Sequence, residues 1–114
     1  MSEKLLIFQK SYDLALWLYP TINRIPKSHR LVLGRHLEEL LLRFLTSIIK
    51  ANKTRDKERL EIQKHLSDTL DCLRILIRLS KDLRFISISQ YTQTIIRLNE
   101  IGKMLYGWIA STKS

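Results

Sequence analysis

The sequence is short of residues that break or cross-link a chain. Three glycines and two prolines in 114 residues leave too few turn formers for an all-β sandwich. A single cysteine, Cys72, excludes an intramolecular disulfide; it is expected as a buried thiol in the third helix, in a reducing compartment. With no second cysteine and only three scattered histidines, no specific metal site can be assembled, and no cofactor is implied. No apolar run approaches the roughly 18 residues of a membrane span. Leu5-Leu6-Ile7-Phe8 is too short for the apolar core of a signal peptide. The expectation is a cytoplasmic protein. A Gly-rich phosphate loop, a βαβ alternation and an internal repeat are all missing.

What is present is positive charge and helical periodicity. Lysine and arginine total 20 against 11 acidic residues, a net charge of +9, and 45% of the chain is hydrophobic. That hydrophobic share argues against disorder, and the length suits one domain, residues 1–114, with one core. The charge points to a polyanionic partner, RNA, DNA or an acidic protein surface; the alternative is a basic surface that serves solubility alone.

Four amphipathic segments are legible. The first, about Lys4 to Arg24, carries Phe8, Tyr12, Ala15, Tyr19 and Ile22 at four-three spacing, and Pro20 predicts a kink or a broken last turn. Pro26 biases Ile25 out of the helical region and marks the first connection. The second, Ser28 to Lys53, has the stripe Gly34, Leu37, Leu41, Phe44, Ile48 and Ala51, widened by Leu33, Leu40, Leu45 and Ile49. Thr54 or Asp56 is expected to cap the third, Lys57 to Asp82, whose core face is Ile62, Leu66, Thr69 or Leu70, Leu73, Ile77 and Leu83. Ser87 and Gln90 form a capping box before the fourth, Ser89 to Ser111, with Tyr91, Ile95, Leu98, Gly102, Leu105 and Ile109 as its stripe. Short connections between long helices predict an all-α, up-down-up-down antiparallel four-helix bundle.

Two basic sets stand out. Arg74 and Arg78 lie one helical turn apart within an apolar run, with Lys81 and Arg84 continuing the set. An unpaired charge is costly to bury, so these cations must face water, an acidic partner or phosphate. The alternative is local pairing, Asp71 with Arg74 and Asp82 with Arg78. Arg24, Lys27, His29, Arg30 and Arg35 surround the first connection. They could hold a phosphate backbone together with the amides at the start of the second helix, or form a solvated basic loop. Trp17, Tyr106 and Trp108 are candidates for base stacking, although aromatics in a bundle more often fill the core or an interface. Gly102 and Gly107 in the last helix suggest close approach by a neighbouring helix or subunit, and with Trp108 they are the expected oligomer contact.

Tyr19-Pro20, Ile25-Pro26-Lys27-Ser28-His29, Leu73-Arg74, Arg78-Leu79 and the closing run Glu100-Ile101-Gly102-Lys103-Met104-Leu105-Tyr106-Gly107-Trp108-Ile109 together resemble the Avd proteins. These are the accessory variability determinants of diversity-generating retroelements, part of a wider group of four-helix proteins that includes those of 23S rRNA intervening sequences. The resemblance extends from about Tyr12 to Trp108. It implies a ring-shaped homopentamer with a basic surface that associates with a reverse transcriptase and its template RNA and supports mutagenic complementary-DNA synthesis and retrohoming, without being the polymerase. It also implies that Arg74 and Arg78 belong to the partner contact; the charge pattern itself adds Lys81, Arg84, Arg24, Lys27, Arg30 and Arg35 as secondary electrostatic contacts to nucleic acid or reverse transcriptase.

Two alternatives remain open at this level. One is an RNA-binding protein of the intervening-sequence type without a polymerase partner. The other is a helical ribonuclease of the HEPN type, which places a histidine four to six residues after an arginine. Arg24 and His29, Arg30 and His36, and Arg59 and His65 satisfy that spacing, but ten arginines in the chain make such matches cheap. The expectation is a non-catalytic protein.

Overall fold

A computed structural model describes residues 3–114 of the chain. Its elements are α1 (Glu3–Ile22), α2 (Lys27–His29), a π-helical turn (Arg30–Gly34), α3 (Arg35–Lys53), α4 (Asp56–Asp82) and α5 (Ile88–Lys113). No strand occurs among the described residues. The helices α1, α3, α4 and α5 pack in a closed cycle, α1 on α3, α3 on α4, α4 on α5 and α5 on α1. Joined by short connections, they form the expected up-down-up-down four-helix bundle, 45 × 23 × 19 Å. At 1.5 Å rise per residue, a helix of the length of α4 or α5 spans roughly 40 Å, close to the whole long axis.

The stripe of the second segment is buried throughout: Leu37, Leu41, Phe44, Ile48 and Ala51 are core residues, and Gly34 is covered. The rest of the core comes from Ile7, Leu14, Leu18 and Ile22 on α1, Leu66, Leu70, Leu73 and Ile77 on α4, and Leu98, Ile101, Leu105 and Trp108 on α5. On α1 the buried line is therefore one residue out of phase with the expected one. Ile22 is shared, Tyr12 is exposed, and Phe8, Ala15 and Tyr19 lie at the flanks. A shift of one residue turns a helix by 100°. α1 is apolar over most of its circumference and packs on both α3 and α5, so its periodicity did not select between adjacent lines. α5 behaves alike: Leu98 and Leu105 are central, while Tyr91, Ile95 and Ile109 are partly buried.

The connections differ from expectation in instructive ways. The second segment is not one continuous α-helix. Pro26 starts α2, and after one turn the chain widens into the π-helical turn, which turns Leu31 and Val32 outward. Arg30 holds this geometry: Nη2 donates to the Asn23 carbonyl at 2.7 Å and Nε to the Ile25 carbonyl at 3.3 Å. Pro20 is accommodated in the last turn of α1, which ends two residues later. Neither Thr54 nor Asp56 caps α4. Arg55 occupies the N-cap without a side-chain hydrogen bond, and the Thr54 hydroxyl instead donates back to the Ala51 carbonyl. Arg59 closes this corner by donating from Nε to Ala51 and from Nη2 to Asn52, a cation at the C-terminal end of α3, where the helix dipole favours it.

After α4, Leu83 is half-exposed rather than part of the core. Arg84 adopts a left-handed conformation, φ 64°, and the Phe85 amide donates to the Ser80 carbonyl at 2.8 Å, the pattern of a helix terminated by a left-handed residue. Ile86 re-enters the core in place of Leu83. The capping box is present as read: the Gln90 amide donates to the Ser87 hydroxyl at 3.0 Å, and the Ser87 amide donates to Gln90 Oε1 at 2.8 Å.

Candidate nucleic-acid interface

Arg74, Arg78 and Lys81 lie on α4, and Arg84 in the turn that follows. None of the three on the helix is an isolated cation. Arg74 Nη1 pairs with Asp71 Oδ1 at 2.8 Å, and Arg78 Nε with Asp82 Oδ2 at 3.8 Å. Lys81 Nζ stands 3.2 Å from Asp82 Oδ1 and 4.5 Å from the centre of the Tyr91 ring. Both local pairs that the spacing offered therefore form. Four cations against the two carboxylates of Asp71 and Asp82 still leave this region net positive. Exposed pairs of this kind contribute only about 0–1 kcal/mol, so a phosphate can compete for them.

The second set divides. Arg24 and Lys27 are exposed and have no acidic partner among the described residues. Arg35 pairs with Glu39 at 3.5 Å. Arg30 is half-buried and engaged with the carbonyls of the connection, so it acts as a tether for the turn rather than as a free contact. The expected helix N-terminus is a three-residue helix with Pro26 at its N-cap. Too few aligned amides gather there for an anion site of the helix-terminus kind.

The fold brings the two sets to one end of the bundle. The His29 ring stacks on Phe85, with centroids 4.5 Å apart, which joins the α1–α3 connection to the turn after α4. Arg24, Lys27, Arg78, Lys81 and Arg84 thus belong to one cationic end, although they are separated by half the sequence. Arg74 stands apart from it, nearer the middle of α4, against α5. A Cβ at residue 102 would lie 2.6 Å from Arg74 Nη2. The close approach expected at Gly102 is therefore made by an arginine side chain of the same chain. Gly107 has no neighbour within 4 Å of such a Cβ, and Trp108 is 3% exposed within the chain's own core, which removes its ring from the expected oligomer contact.

A family model described as bAvd-like matches residues 5–112. The chain belongs to the bAvd-like family. A comparison with curated proteins gives no match. Membership over nearly the whole chain bears out the resemblance carried by the closing motif, and with it the non-catalytic character of the bAvd-like proteins. Of the residues at the arginine–histidine spacings, Arg30 and Arg59 are engaged with backbone carbonyls, and His29 is stacked on Phe85. No group of three or more metal-ligating side chains occurs among the described residues, and no helix there is long and apolar enough to cross a membrane. Cys72, expected to be buried, is exposed. It follows Asp71 on the outer side of α4, while Leu70 and Leu73 point inward.

The three aromatics of this bAvd-like chain separate by burial. Trp17 packs between α1 and α5: its Nε1 donates to Thr94 Oγ1 at 3.0 Å, and the Arg97 guanidinium lies 5.1 Å over its ring. Trp108 is in the core. Tyr106 is 78% exposed. It lines a cleft between α4 and α5 of about 510 Å³ with Arg74, Asn99, Gly102 and Lys103. The spacing 99, 102–103, 106 is one helical stripe. Of its residues only Gly102 belongs to the expected core line, and Tyr106 is one of the stacking candidates.

Proposed function

We propose that the chain is a non-catalytic accessory subunit of a diversity-generating retroelement, binding the reverse transcriptase and the template RNA or complementary DNA to support mutagenic reverse transcription and retrohoming. The observation that carries this reading is the bAvd-like match across residues 5–112; the net charge of +9 supports the nucleic-acid part of it. The cationic end formed by Arg24, Lys27, Arg78, Lys81 and Arg84 supplies the electrostatic contact, and Arg74 extends it along the α4–α5 side. In a homopentameric ring, these ends repeat around an axis and hold a polyanion near the polymerase. Phosphate contacts of this kind position RNA without reading its sequence, and they weaken steeply with salt.

The test is a pulldown with the reverse transcriptase encoded nearest to the chain, with and without RNA, followed by RNA binding across a salt series. Co-purification and a steep salt slope are expected. If the enzyme is not captured while RNA still binds, the chain is an RNA-binding protein of the intervening-sequence type.

A further inference from the structure

We infer that the cleft between α4 and α5 is a seat for one nucleotide of a single strand, with the base stacked on Tyr106 and the adjacent phosphate held by Arg74 and Lys103. The inference deepens the nucleic-acid part of the proposed function and rests on it.

The cleft is built rather than incidental. Its floor is Leu70 and Leu105, and its α5 wall carries Asn99, Lys103 and Tyr106 in one stripe. Gly102 interrupts that wall, and Arg74 Nη2 reaches to 2.6 Å of the place where a side chain would begin. Any other residue at 102 would push the guanidinium away. Asp71 fixes it from the other side through Nη1 at 2.8 Å and leaves Nη2 on the cleft side. No carboxylate lines the cleft among the described residues, and the charge of Asp71 beside it is offset by Arg74. Lys103 is exposed and has no acidic partner among the described residues.

Tyr106 decides the class of ligand. A fully packed tyrosine would be a core residue, but this ring is 78% exposed, next to two cations. An acidic peptide would use the cations and leave the ring idle. A nucleotide uses both, because every base has a face that stacks on an aromatic ring while its phosphate seeks arginine or lysine. A duplex hides its base faces, so the cleft selects single strands. The Asn99 amide at the far end of the stripe can donate to and accept from a base or sugar edge.

The experiment measures binding of the full chain to a labelled oligouridylate and to a blunt RNA duplex of equal charge. Tyr106→Ala is expected to weaken the single strand about tenfold and to leave the duplex unchanged, with Tyr106→Phe restoring wild-type binding. Gly102→Ala, which displaces Arg74, is expected to weaken the single strand as well. Equal oligouridylate binding by wild type and Tyr106→Ala overturns the assignment. Oligouridylate binding that is unaffected by Tyr106→Ala and fully competed by polyglutamate overturns it in favour of an acidic-peptide groove. Capture of the reverse transcriptase is read separately with the same variants. Capture together with Tyr106-independent RNA binding refutes the cleft and leaves the accessory reading intact. Tyr106-dependent binding without capture supports the cleft and refutes the polymerase partnership.

Discussion

Arg74 and Gly102 are packed as a pair: the guanidinium of one occupies the space that a side chain on the other would need, with Nη2 2.6 Å from the Cβ position. A methyl there meets the far end of a flexible side chain, which can swing outward at little cost. Replacing glycine by alanine in a helix is worth about 1 kcal/mol. Gly102→Ala is therefore expected to raise stability, by up to about 1 kcal/mol in urea unfolding, while reducing single-strand binding. A destabilised variant would mean that the position of Arg74 matters to the fold itself.

Gly107 presents the opposite case, with open space around it. If a second copy packs there, Gly107→Ala shifts assembly toward smaller species in sedimentation velocity while stabilising the helix by roughly 1 kcal/mol. Unchanged assembly would take Gly107 out of the subunit interface.

Arg84 adopts φ 64°, a conformation that costs a residue with a Cβ about 1–2 kcal/mol. Glycine removes that cost but adds chain entropy to the unfolded state. Arg84→Gly is expected to gain about 0.5 kcal/mol or more and to weaken RNA binding through the lost charge. A loss of stability would show that the arginine side chain, rather than the backbone alone, supports the turn.

The Thr94 hydroxyl accepts from Trp17 Nε1 at 3.0 Å and donates to the Gln90 carbonyl at 2.7 Å. Thr94→Val keeps the shape and leaves the indole N–H without its partner, for an expected loss of about 1–2 kcal/mol. Thr94→Ser should recover most of it. Equal stability for valine and threonine would mean that solvent reaches the indole.

Ser87→Ala removes one half of the capping box and should lower stability by about 1 kcal/mol, read as a lower urea midpoint at constant slope. Ser87→Asp, which can cap as well and places negative charge at a helix N-terminus, should restore it.

How far the sequence determined this protein differs from element to element. Long amphipathic runs with few breakers were enough for four helices in an antiparallel bundle, because burying an apolar stripe on each helix leaves few other arrangements. The core line of α3 was legible because most of its charged residues keep to the opposite face, although Leu42 and Ile49, the latter expected to widen the stripe, remain exposed. The lines of α1 and α5 were not, because α1 is apolar nearly all round and α5 is bordered by half-buried residues, so neighbouring stripes compete until two partner helices choose between them. The capping box was readable because its partners are three residues apart. The π-helical turn was not, since it depends on Arg30 reaching back to Asn23 and Ile25. Of the candidate interface, the sequence identified the cations and their local carboxylates. Only the tertiary structure decided that Arg24 and Arg84 share an end of the bundle, that Arg30 is a tether, and that Tyr106 faces outward while Trp108 faces in. Charge and periodicity are properties of the chain; which charges remain free, and which aromatic ring stays open, follows from packing between helices that are far apart in sequence.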